Sequence, residues 1–179
     1  MNELDKAFYL VCKVLNKYEI PFWLEAGSLL GCMREGKRIE WDTDYDIAFP
    51  HYLAHKVLNA LQEVKEGGYE VHGNLYHSIS YNGKHLICIQ PHRIIRGQVY
   101  RITSYLSTEY HLSKLPLFMQ HIILAIQIRI HTIKYHRGSI NDYNRMIKMP
   151  MGGELVYIPI GYDRILRLKY GEWRIPCRD

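Results

Sequence analysis

An α/β sandwich with a mainly helical second half is the fold class this sequence predicts, and three observations predict it. Residues 3–18 repeat apolar side chains at helical spacing; helices and short β-type runs alternate as far as residue 65; and Asn82-Gly83 joins two β-type runs as a hairpin turn. At 179 residues the chain is long enough for one domain, 1–179, with a core over about 1–110 and the helical part over about 111–179.

Leu4, Ala7, Phe8, Val11, Val14, Leu15 and Tyr18 share one face of the first helix, which Ile20-Pro21 ends. Phe22–Leu24 is a short buried strand arriving at Gly27-Ser28. Ser28 then serves as N-cap of a second helix that stops near Gly36. Tyr45–Phe49 alternates as a strand, and Pro50 closes it. His51–Lys65 places Leu53, Val57, Leu58, Leu61 and Val64 on one helical face, and Gly67-Gly68 stops it. Tyr69–Val71, Ser78–Tyr81, Lys84–Gln90 and Gln98–Tyr105 read as strands. Leu115–Tyr135 reads as a long helix broken at Gly138. After a polar turn come a strand at Leu155–Pro159 and a helix from Asp163 to Tyr170. No repeat or linker interrupts this order.

Composition narrows the class. With 47% hydrophobic and 23% charged residues the chain can offset its ordering entropy, so disorder is excluded as a whole-chain description. Apolar runs stay below the roughly 18–20 residues a bilayer requires; Ile122–Ile130 is interrupted by Gln127 and Arg129. The first residues alternate charge with apolar side chains, unlike a secretory leader, and an intracellular protein is expected. Cys12, Cys32, Cys88 and Cys177 have neither zinc-ligand nor disulfide-framework spacing and read as free thiols. A net charge of +5 suits an anionic ligand without choosing among nucleotide, sugar phosphate and nucleic acid; nucleic acid, resting on charge alone, ranks last.

One segment carries chemistry. Between Leu24 and Phe49, Gly27-Ser28 stands at a strand-to-helix junction, and Asp42, Asp44 and Asp46 run into the next strand. Alternate residues of a strand face the same way, so Asp44 and Asp46 project to one side about 7 Å apart. Carboxylates held so close repel, and a divalent cation between them is the usual resolution. The Ser28 hydroxyl and the N–H groups of the helix turn offer an anion site opposite that cation. Metal plus anion cradle is the equipment of phosphoryl transfer. An acidic turn that is merely solvated is the structural alternative.

The run L-E-A-G-S-L-L-G-x-x-R-E-G-x-x-x-x-W-D-x-D-x-D-I resembles the signature of the LicD/fukutin family of the nucleotidyltransferase-fold superfamily. Ile158–Trp173 (I-P-I-G-Y-D-R-I-L-R-L-K-Y-G-E-W) resembles that family's tail. The resemblance implies a nucleotidyltransferase-like mixed sheet flanked by helices. It also implies transfer of a phospho-alcohol, such as phosphocholine or a polyol phosphate, from a CDP-linked donor to a glycan or lipid-linked saccharide, with release of CMP. Asp44 and Asp46 would be catalytic and would hold Mg²⁺ or Mn²⁺. Gly27, Ser28, Arg34, Lys37 and Asp42 would meet nucleotide and phosphate, with Glu25, Trp41 and Trp173 as further donor contacts. Such an enzyme is expected in the cytoplasm, at the inner membrane surface where its acceptor is lipid-linked.

This sequence departs from that pattern downstream. The family's later strand commonly supplies a third carboxylate, and Leu86–Pro91 carries Cys88 in its place. That leaves general-base duty to Asp46 itself, or to Glu70 or Glu109. A nucleotidyltransferase adding a nucleoside monophosphate to a small molecule or protein, and a silent nucleotide binder, are the competing readings. His72, His77, His85 and His92 fall across the hairpin region without familiar metal-ligand spacing, and read as core or solvated residues. The basic stretches Lys134–Arg137 and Arg164–Lys169 read as solvated helix faces.

Overall fold

The computed structural model of the chain describes residues 2–104, 114–129, 131–151 and 154–176. Helix α1 (Glu3–Lys17) opens on Asn2, whose Oδ1 accepts the Asp5 N–H at 2.8 Å. It buries Leu4, Ala7, Phe8, Val11, Val14 and Leu15. Strand β1 (Trp23–Leu24) leads into α2 (Ala26–Glu35), then β2 (Tyr45–Pro50). A single 3₁₀ turn, His51–Leu53, precedes α3 (Ala54–Glu66), which buries Val57, Leu58, Leu61 and Val64. Strands β3 (Glu70–Gly73), β4 (His77–Tyr81), β5 (Lys84–Ile95) and β6 (Gln98–Ser104) follow. Asn82 and Gly83 make the β4–β5 turn with φ of 50° and 73°. The second half contains α4 (Leu117–Arg129), β7 (His131–Ser139), α5 (Ile140–Tyr143), β8 (Met146–Met151), β9 (Glu154–Pro159) and α6 (Tyr162–Tyr170).

Strands β1 to β7 form one mixed sheet, ordered β1-β2-β5-β4-β3, with β6 bonded to β5 and to β7; β8 and β9 form a separate ribbon. The β2–β5 pair is parallel and the other pairs are antiparallel. Along β2, Tyr45, Ile47 and Phe49 are buried toward the helical layer, where Tyr45 stacks on Phe8 of α1 at 3.8 Å between centroids. The alternation turns Asp44 and Asp46 to the other face. That division puts the core on one side of β2 and the acidic residues on the other.

Two stretches differ from the sequence reading. The helix expected over Leu115–Tyr135 ends at Arg129, and His131–Ser139 pairs with β6 as a strand instead. Pairing to a neighbour with unmet backbone groups outweighs the weak local preference for helix there. The polar turn before Leu155 contains β8, which pairs with β9 from Met146↔Pro159 to Met151↔Glu154. Among the described residues no helix is long and apolar enough to cross a membrane.

Candidate active site

The acidic residues are placed by a kink. Glu25 donates its N–H to the Asp46 carbonyl at 3.0 Å, and Ala26 then takes φ 47°, left-handed geometry that costs a non-glycine residue about 1 kcal/mol. The kink aims the first turn of α2 at the start of β2. A Cβ on Gly27 would run into the Asp42 carboxylate, so glycine is what lets the two approach. Glu25, and not Ser28, is the residue preceding the helix. Ser28 lies one turn inside it, 1% exposed, with Oγ accepting the Asp46 N–H at 2.8 Å. It ties α2 to β2 from within rather than presenting its hydroxyl to solvent.

Asp46 stands in register with Cys88 of the parallel neighbour β5, and its Oδ1 accepts a hydrogen bond from Gln90 Nε2 at 2.7 Å. Burial, followed by the Asp44 charge, pushes the Asp46 carboxyl up to about 6. Burial and Asp44 raise Asp42 as well. Asp44 is held below the usual carboxylate range, chiefly by a hydrogen bond from His85. The same bond, reinforced by Cys88, pushes the His85 imidazole up to about 10. Three carboxylates thus crowd one another, with the His85 imidazole against Asp44.

His85 Nε2 lies 3.4 Å from Asp44 Oδ2 and 3.2 Å from Cys88 Sγ, and Cys88 Sγ lies 3.9 Å from the same Asp44 oxygen. On the far side of the ring, His85 Nδ1 is 2.7 Å from Ser78 Oγ, and the Tyr76 hydroxyl donates to Cys88 Sγ at 2.7 Å. The oxygen, nitrogen and sulfur of Asp44, His85 and Cys88 are all within 4.8 Å of one another, a donor set that fits a divalent cation. Spacing concealed it. His85 and Cys88 are three apart and belong on opposite faces of a regular strand, but the register slips by one between Ile79↔Ile87 and Ser80↔His85. This bulge brings both side chains to the Asp44 side.

Beside Glu25 is a basic wall. A cleft of about 390 Å³ is lined by Glu25, Ala26, Arg137, Lys169 and Tyr170, among others. Lys169 and Tyr170 of α6 both sense the charges of Asp46 and Glu25. Desolvation in the cleft, then the Arg137 charge, holds the Lys169 amine below its ordinary value. Arg101 of β6 lies over the Tyr76 ring at 5.2 Å. Glu25 is 1% exposed and accepts the Tyr143 hydroxyl at 3.2 Å. The His92 ring is 3.8 Å away, but burial outweighs the attraction of Glu25 and lowers His92 to about 4, so it contacts Glu25 as a neutral ring.

Other residues marked in the sequence lie elsewhere. Arg34 pairs with its neighbour Glu35 at 2.8 Å. Lys37 lines a separate cleft with Asp5, Tyr9 and Tyr45. Arg38 is the basic residue that meets the acidic loop, donating to the carbonyls of Ile39 and Asp42. Trp41 is 55% exposed in a groove with Asp42, Thr43 and Lys84. Trp173 is buried and donates to Asp163 at 3.1 Å, which makes it a packing residue of the tail. Glu70 sits on β3, at the opposite end of the sheet from β2, beside His72. Glu109 lies outside the described residues.

Known proteins resemble this chain in sequence and in fold. Residues 19–159 match the family described as LicD/FKTN/FKRP, nucleotidyltransferase domain. Ribitol 5-phosphate transferase FKRP of Homo sapiens is 24% identical over 175 residues, 96% of this chain and 32% of that protein. The Mus musculus protein is 22% identical over the same shares. The chain spans about a third of the length of these curated relatives. An uncharacterised Rickettsia typhi protein is 34% identical over 65 residues, 36% of this chain and 21% of that one. The lincomycin-bound crystal structure of the lincosamide antibiotic adenylyltransferase LnuA superposes with a TM-score of 0.52 at 12% identity, over 96% of this chain and 89% of that one. That likeness is one of fold.

Proposed function

This chain belongs to the LicD/FKTN/FKRP family of nucleotidyltransferase domains, and on that premise we propose that it transfers a phospho-alcohol from a CDP-linked donor to a glycan hydroxyl, releasing CMP. One observation carries the reading: Lys169 of α6, in a cleft of about 390 Å³ that Glu25 and Arg137 of β7 also line, senses the charges of Asp46 and Glu25. Polyol phosphates are the favoured alcohol class, since the FKRP relatives are named for ribitol 5-phosphate. The acceptor is a glycan or lipid-linked saccharide, and the place of work is the cytoplasm.

In this reading Lys169 and Arg137 grip the diphosphate of the donor and keep it against the acidic strand. Asp42 and Gly27 bound the space where backbone approaches phosphate. Asp44, with Asp46 beside it, would hold a divalent cation, Mg²⁺ or Mn²⁺ in the simplest case; when bound it would offset phosphate charge as the P–O bond to CMP breaks. Gln90 occupies one oxygen of Asp46, leaving the other to take the proton of the attacking hydroxyl.

The test is product analysis. Incubation with CDP-ribitol or CDP-choline and a glycan acceptor is expected to yield CMP and a phosphodiester-linked product. Pyrophosphate release from CTP with nucleotidylated acceptor would overturn the proposal in favour of nucleotidyl transfer. Lys169→Met and Arg137→Met are each expected to weaken donor binding about 10–100-fold by calorimetry, the worth of one charged hydrogen bond. The melting temperature should move little for Lys169→Met, because methionine keeps an apolar stem of similar length in the cleft. Unchanged donor affinity in both variants would remove the basic wall from the site.

A further inference from the structure

We propose that Asp44, His85 and Cys88 form a cation site selective for a thiophilic divalent ion of the Zn²⁺ class over Mg²⁺. The inference deepens the transferase reading and rests on it only for the use made of the cation; the site itself is argued from its ligand atoms.

The distances are those of a small coordination polyhedron. Zn–S, Zn–N and Zn–O bonds of about 2.3, 2.05 and 2.1 Å at tetrahedral angles put neighbouring ligand atoms about 3.4–3.6 Å apart. Here the three separations are 3.2 Å (His85 Nε2 to Cys88 Sγ), 3.4 Å (His85 Nε2 to Asp44 Oδ2) and 3.9 Å (Cys88 Sγ to Asp44 Oδ2). An octahedron of Mg–O bonds of about 2.1 Å would need edges near 3.0 Å, and Mg²⁺ takes oxygen ligands. A thiolate and an imidazole select ions of the zinc group.

The outer contacts are those of a metal-binding histidine. His85 Nδ1 is engaged by Ser78 Oγ at 2.7 Å, which fixes the ring and directs Nε2 inward. The Tyr76 hydroxyl donates to the sulfur at 2.7 Å and so holds it in place. Three protein ligands leave a fourth position for a donor oxygen or water. A Cys-His-Asp nucleophile relay would use the same residue types, but it needs cysteine and aspartate on opposite ring nitrogens. Here both face Nε2, which suits a shared ion and not a relay.

The experiment uses the full chain stripped with chelator. Competition against a chromophoric chelator is expected to show Zn²⁺ bound at least about 100-fold more tightly than Mg²⁺. Cobalt(II) loading should give the intense near-ultraviolet absorption of a thiolate–cobalt bond. Cys88→Ser should abolish that absorption, and Cys88→Ser and His85→Ala should each weaken Zn²⁺ binding about 100-fold or more, beyond the 10–100-fold typical of outer contacts. Cys88→Asp should shift preference back toward Mg²⁺. The wild-type cobalt spectrum decides the matter even where a variant fails to fold: absence of a thiolate band overturns the proposal, as does Zn²⁺ binding unaffected by Cys88→Ser. Tight Zn²⁺ binding without any phospho-alcohol transfer would leave the site standing and sink the transferase reading; transfer in Mg²⁺ with no preference for Zn²⁺ would do the reverse.

Discussion

Asp46→Asn is expected to lower transfer by about 10³-fold or more while making the metal-free protein more stable at pH 7.5. The catalytic loss follows from removing a charge beside the reacting phosphate. The gain in stability follows from where Asp46 sits. Its carboxyl, ordinarily near 3.8, is pushed up to about 6, mainly by burial. The folded state therefore holds this proton more tightly than the unfolded chain. Stability from Asp46 is highest while it is protonated, falls as pH rises between about 4 and 6, and is fully lost above that. At 1.36 kcal/mol per unit the charged form costs the fold about 2–3 kcal/mol at neutral pH. Asparagine keeps an oxygen for Gln90 and carries no charge, so the melting temperature should rise by roughly 5–10 °C at pH 7.5 and hardly at all at pH 4. Melting curves at both pH values in chelator, with a transfer assay alongside, test this. A variant that melts lower at pH 7.5 would show that Asp46 is a structural residue.

Gly31→Ala is the second large effect, expected at about 2–3 kcal/mol of lost stability. A Cβ there would lie 2.7 Å from the Lys37 carbonyl oxygen and 2.9 Å from the Ile39 nitrogen. Both are backbone atoms, which cannot swing aside as a side chain can. The glycine of L-L-G is thus the seat on which the returning loop rests. That loop ends at Asp42, whose N–H bonds the Ile39 carbonyl at 3.1 Å and whose own carbonyl is held by Arg38. Displacing it also carries Asp42 away from Gly27. Donor affinity should fall with stability in Gly31→Ala, whereas Glu40→Ala, exposed in the same loop, should stay within about 0.5 kcal/mol. An unaltered melting temperature in Gly31→Ala would mean that the loop is free to retreat.

The first half of the fold was legible because its signals are local. Helical spacing set α1 and α3, alternation set β2, and Asn82-Gly83 set the hairpin. The acidic face was legible for the same reason, since the two-residue period alone puts Asp44 and Asp46 together. What escaped was whatever depended on partners far along the chain. β7 is a strand because β6 is beside it, and the apolar run before it says only that something is buried. Lys169 and Arg137 belong to the cleft through the packing of α6 and β7, and no spacing relates them to Asp44. Arg34 and Lys37 were placed at phosphate through the family resemblance alone; Arg34 pairs with Glu35, and Lys37, past the end of α2, lines a separate cleft. His85 was hidden by a bulge of one residue, which a pattern of alternation reads as the wrong face.

That bulge also has a bearing on the order in which the molecule can assemble. His85 and Cys88 are 3 residues apart, and Ser78 and Tyr76 are 7 and 12 residues from the groups they touch. Ser78, His85 and Cys88 lie on the β4–β5 hairpin and Tyr76 immediately precedes it, an element of the kind that closes in about 1–10 μs. Asp44 is 44 residues from Cys88 and arrives only when β2 docks in parallel beside β5, with α3 and two strands enclosed in the crossover. Such non-local closure is the slow part of folding. Imidazole and thiol are therefore in place early, as a bidentate fragment on a local turn, and the carboxylate completes the set late. Closure of the β2–β5 crossover is thus the folding event that turns two nearby side chains into a site.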